Sequence, residues 1–137
     1  MITISDKDLY YIAGLLEGEG WFTLQNKHYP FIGLKMTDRD VIYKASNLMN
    51  IKTLIYFSDR RGLGSNGIMT NKVSYTLQVG GSLAVEWMIK LLPLMGSRRQ
   101  SRIKEVLTVW SNRPRKWRNT DENLHTLVKS TLLEVVN

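Results

Sequence analysis

Apolar positions recur at helical spacing near the start of the chain, at Leu9, Ile12, Ala13, Leu15 and Leu16. Ser5 stands where an N-cap belongs, and Asp8 three residues on comes close to a capping box. Glycines end the run near Gly18 or Gly20. The pattern then shortens. Trp21–Leu24 predicts a strand, 26–30 a turn, and Phe31–Met36 a second strand. Thr37 predicts a cap for a helix reaching about Met49, with Asp38 and Asp40 in its first turn. Thr53–Ser58 predicts a third strand, residues 59–71 a Gly-, Ser- and Asn-rich loop, and Lys72–Val79 a cleanly alternating fourth strand. Ser82 predicts the cap of a helix that runs to Leu92 and breaks at Pro93. Ser97 predicts the cap of another, carrying Ile103, Val106, Leu107 and Trp110. The stretch from about Glu122 to Val136 reads as a last helix.

The order αββαββαα plus a C-terminal helix predicts an α+β protein. Its natural packing is a four-stranded antiparallel sheet with helices on one face and the other face open to a partner. In the fourth strand Val73, Tyr75, Leu77 and Val79 share one side, and Lys72, Ser74, Thr76 and Gln78 the other. Lys35 falls on the polar side by the same alternation against Ile32, Leu34 and Met36. Such a row can touch nucleic acid, although an ordinary half-exposed sheet presents the same pattern.

Length and charge narrow the picture. A chain of 137 residues is one domain, residues 1–137, with a basic segment and a helix from about 112 to the end. The net charge of +7 points to a polyanionic partner: DNA, RNA or an acidic membrane surface. No run approaches the roughly 18 apolar residues of a membrane span. Without cysteine there are no disulfides or thiolate zinc sites, and two histidines, His28 and His125, do not make a metal cluster. The N-terminus shows neither a signal-peptide nor a transit pattern, so an intracellular protein is expected, whether bacterial, phage- or organelle-encoded. The glycine-rich stretch 59–67 lacks the spacing and following helix of a P-loop, and no small-molecule substrate is expected.

The candidate chemistry lies at the end of the first helix, where Glu17 and Glu19 flank Gly18. Terminal carbonyls and the macrodipole already make that end negative, so two acids there disfavour an isolated helix. A hard divalent cation reverses the sign of that effect, and the Gly18 carbonyl could join Glu19 in its shell. A solvated surface helix end followed by a glycine cap is the simpler local reading.

Ile12-Ala-Gly-Leu-Leu-Glu-Gly-Glu-Gly resembles, in register, the nine-residue signature of the LAGLIDADG homing endonucleases, with identities at Ala13, Gly14, Leu15 and Gly20. The element order that follows extends the resemblance over most of the chain and implies the αββαββα homing-endonuclease fold, its sheet a DNA-binding saddle. The resemblance also implies a homodimer, because two motif copies are needed and this chain has one. Motif helices then pair through Ala13, Gly14, Glu17 and Gly18. The implied activity is site-specific double-strand DNA cleavage on a near-palindromic site, with Mg2+ (Mn2+ as a substitute) held by Glu19 and Gly18. Asp38 and Arg98 fall on the family's two further pocket positions, giving Glu19, Asp38 and Arg98 as the catalytic set. The same scaffold also serves non-cutting relatives such as intron maturases and DNA-binding regulators, which is the alternative. The host element (intron, intein or free-standing) stays open.

Basic residues crowd the last third: Arg98, Arg99, Arg102, Lys104, Arg113, Arg115, Lys116 and Arg118, opposed locally only by Glu105. This density suits phosphate contact, which supplies affinity without reading sequence. The expected DNA contacts are Lys27, Lys35, Arg60, Arg61, Lys72, Ser74, Thr76, Gln78, Arg99, Arg102, Arg113, Arg115 and Lys116. Trp110 reads as core.

Overall fold

The computed structural model describes residues 2–51, 55–59, 62–63, 69–70, 73–114 and 122–136. Arg60, Arg61, Lys72, Arg115 and Lys116, all expected DNA contacts, lie outside the described residues.

Helix α1 spans Asp6–Glu19, and the Ser5 hydroxyl accepts the Asp8 amide as the capping pattern requires. It runs directly into strand β1, Gly20–Gln25, which pairs antiparallel with β2, Tyr29–Met36. Asn26 and Lys27 both take positive φ in the tight turn between them. Helix α2 spans Arg39–Leu48. Its cap is Asp38, not Thr37: one Asp38 carboxylate oxygen accepts the amides of Asp40 and Val41. A carboxylate serves two orphan donors at once and complements the positive end of the helix.

Strand β3 is Tyr56–Asp59. The expected loop after it holds a short ladder, β4 (Gly62–Leu63) against β5 (Met69–Thr70). Strand β6, Val73–Gly80, pairs with both β2 and β3, giving the antiparallel sheet order β1-β2-β6-β3. Helix α3, Gly81–Leu91, begins at once, with no side-chain cap; Ser82 does not serve as one. Gly81 sits at φ +71, and that left-handed residue makes the switch from strand to helix without a turn. A 3-10 turn at Leu92–Leu94 contains Pro93 and leads to helix α4, Ser97–Ser111. Gly96, not Ser97, holds the cap position of α4. Helix α5 is Glu122–Val136.

One apolar cluster joins α1, the inner sheet face and helices α2 to α5: Ile12, Leu16, Phe22, Ile32, Leu34, Ile42, Trp87, Ile103 and Val128 are all inside it. Trp110 belongs to it as expected. His125 is buried beside the Trp110 ring, and its Nε2–H donates to the Ser111 carbonyl at 2.8 Å, locking α5 onto α4. No described helix is long and apolar enough to cross a membrane.

Candidate active site and nucleic-acid face

The motif helix separates into two sides. Ile12, Ala13 and Leu16 turn inward, and Ala13 is only 5% exposed. Ala13, expected at a subunit contact, is therefore part of its own chain's core. Gly14 and Gly18 face outward, and a Cβ at either would meet nothing within 4 Å. Tyr10, four residues before Gly14, is 60% exposed on the same side. A glycine inside a helix costs roughly 0.5–1 kcal/mol against alanine. Nothing in the packing of the described residues calls for Gly14.

The two acids at the tip also part company. The Glu17 carboxylate accepts the Gly96 amide at 2.9 Å and pairs with Arg99 Nε at 3.1 Å. It thus does for α4 what the third-residue Glu of a capping box does, but from another helix. The acid that burdens the negative end of α1 relieves the positive end of α4. Glu19, the last residue of α1, is exposed and engages no other described residue. Its carboxylate and the carbonyls beside it are hard oxygen donors of the kind Mg2+ takes. Among the described residues no group of three His, Cys, Asp or Glu side chains converges. Mg2+ keeps several waters and uses one or two carboxylates with substrate phosphates, and one chain supplies the single Glu19 carboxylate toward such a set.

Arg99, expected as a DNA contact, is turned toward its own chain. Its Nε donates to the Glu17 carbonyl at 2.9 Å and its Nη1 to the Gly20 carbonyl at 2.6 Å. Arg102, one turn on, donates to the Phe22 carbonyl and the Thr23 hydroxyl, both at 3.1 Å, and pairs with Glu105 at 2.7 Å. Two arginines at i, i+3 on α4 thus occupy alternate carbonyls of edge strand β1. Arg98, the residue before Arg99, is exposed and engages no other described residue. It lines a cleft of about 380 Å³ with Gly20, Trp21, Phe22, Arg99 and Arg102, next to the Glu19 backbone. Asp38 is exposed but is committed through one oxygen to its cap.

On the outer sheet face Lys35 is exposed and pairs in register with Thr76, while Ser74, Thr76 and Gln78 are half-buried. The face is not uniformly polar. Trp21 lies across Gly33 so closely that a Cβ there would collide with the indole, and the Tyr29 ring covers Gly80 in the same way. Sequence reading passed over both aromatics, although alternation against buried Phe22 already put Trp21 outside. Lys27 is exposed at the β1–β2 turn. Arg113 is half-buried, its guanidinium 5.3 Å from the centre of the Trp110 ring.

No family model matches the sequence. No curated protein matches it either. Solved structures do. The fold is that of the LAGLIDADG homing endonucleases. The chain is similar to the homing endonuclease I-CvuI, solved in complex with its target in the presence of Ca: 11% identity, 96% of this chain against 83% of that one, TM-score 0.51. The group I intron-encoded homing endonuclease I-CeuI, solved with DNA, matches at 13% identity over 96% of this chain and 79% of that one, TM-score 0.48. The homing endonuclease I-TnaI matches at 13% identity over 97% and 99%, TM-score 0.45.

Proposed function

We propose that this chain is a site-specific endonuclease that cuts both strands of DNA as a homodimer, with a divalent metal, Mg2+ or Mn2+, at each α1 tip. The observation that supports this most directly is the outward side of α1. It keeps a helix-weakening glycine at 14 on which no described residue packs, and the tip of the same helix carries an exposed acid, Glu19, that no described residue engages. A second copy packed on Gly14 and Gly18 supplies a reason for the first feature and brings two tips together about one axis. Two like-charged tips then repel each other unless a cation binds between them, and cations with a phosphodiester are the fitting occupants.

In that dimer Glu19 and the Gly18 carbonyl would hold the metal. When bound, it polarises the phosphate and helps generate hydroxide for phosphodiester hydrolysis. Arg98 faces the cleft beside Glu19 and stabilises phosphate charge; an arginine does this without exchanging a proton. Asp38 serves there through its remaining oxygen. Lys35, Ser74, Thr76 and Gln78 meet base edges and backbone along the groove, and Lys27, with the basic residues outside the described segments, meets phosphates at the flanks.

Cleavage selection from a randomised duplex library, with Mg2+ against Ca2+, tests the reading on protein whose mass in solution is measured alone and with DNA. Recovery of a near-palindromic cut site with Mg2+, by a dimer, is expected. Selective DNA binding without cutting in Mg2+ or Mn2+ would instead make the chain a non-cutting binder of the same fold. A strict monomer on DNA overturns the dimer.

A further inference from the structure

We propose that Arg99 is the positioning residue of Glu19, holding the metal-binding acid in place through the backbone on either side of it. The inference rests on the reading of Glu19 above. Glu19 sits at the junction of helix and strand, which the Gly20 amide bridges by donating to the Leu16 carbonyl. Arg99 spans that junction. One nitrogen donates to the carbonyl two residues before Glu19, at 2.9 Å, and another to the carbonyl one residue after it, at 2.6 Å. A guanidinium is planar and rigid, so its fork sets the relative placement of the Glu17 and Gly20 carbonyls and hence the backbone angles between them.

Arg99 is itself held. Its Nε pairs with the Glu17 carboxylate, whose other oxygen accepts the Gly96 amide at the start of α4. The tip of α1, the first turn of α4 and the start of β1 form one corner, and Glu19 projects from it. The Arg99 side chain is only 15% exposed, so it is placed to serve the backbone rather than an incoming phosphate. The corner also supplies the positive charge that the helix end needs, so the tip keeps its shape before any cation arrives.

The test compares wild type with Arg99→Ala and Arg99→Lys by residue-resolved amide exchange and by single-turnover cleavage with parallel DNA-binding titrations. In Arg99→Ala the Gly20 amide is expected to exchange on the order of 10-fold faster while Ile12–Leu16 stay protected. Cleavage is expected to fall about 100-fold at unchanged DNA affinity, the cost of a displaced reacting group. Arg99→Lys, which cannot fork across two carbonyls, is expected to fall between, and it carries the test alone if the alanine variant unfolds. Unchanged exchange at Gly20 overturns the proposal. So does a loss of DNA affinity that matches the loss of cleavage, because Arg99 then contacts phosphate. A wild type that never cuts, with exchange still responding to Arg99, supports the bracket and removes the endonuclease reading instead.

Discussion

The inward and outward sides of α1 are built to different rules. Inward, Ile12, Ala13 and Leu16 are sealed against the sheet and the other helices, while at the tip the exposed Glu17 is tied to α4. Outward, Tyr10 stands in solvent, Gly14 and Gly18 leave open space, and Glu19 engages no described residue. A single nine-residue motif thus carries two sets of instructions. Residues that the chain uses for itself are explained by its own core, and residues that it leaves unused, at some loss of helix stability, are where a partner is to be sought. Helix α4 repeats the lesson, since Arg99 and Arg102 are spent on β1 while Arg98 is not.

The sharpest way to break the contrast is at the two acids. Glu19→Gln is expected to lower the cleavage rate on the order of 1,000-fold or more while DNA binding and the unfolding midpoint hold. Glu17→Gln should instead lower the midpoint. Equal behaviour of the two variants would erase the distinction drawn between them. Next comes the open side of the helix. A Cβ at Gly14 meets no described residue within 4 Å, so in Gly14→Leu the monomer should keep or gain stability, while dimerisation weakens roughly 10- to 100-fold, the usual cost of forcing volume into a close contact. Sedimentation at several concentrations reads this, and an undisturbed dimer would move the interface off that face.

Smaller effects separate the arginines. Arg102→Ala is expected to destabilise the fold by about 1 kcal/mol in urea unfolding, discounted because the side chain is 42% exposed. Arg98→Ala should leave unfolding unchanged and reduce the slope of log affinity against log salt by about 1. If Arg102→Ala changed the salt slope and not stability, the division of labour along α4 would be reversed.

Most of the architecture could be read from periodicity, because alternation in β6 and the four-residue spacing in α1 are local signals. What escaped was also local but finer. Thr37 and Asp38 are both good caps, and only the position of the first helical turn chooses between them. Ser82 and Ser97 each follow a glycine that takes the junction, so their hydroxyls are not needed as caps. In the candidate site the exposed acids stood out in the sequence, while the contacts of its arginines did not. Arg99 reaches Glu17 and Gly20 across about eighty residues of chain, and no spacing rule announces such a contact. Counted as charge, Arg98, Arg99 and Arg102 looked equivalent; only folding assigns two of them to carbonyls.

The pair of arginines on β1 has one more effect. An edge strand with bare carbonyls invites another β segment to add itself, which is the first step toward runaway sheet growth. Here the guanidinium forks already fill those acceptors at Gly20 and Phe22. The sheet is thereby guarded along the flank where self-templating would begin.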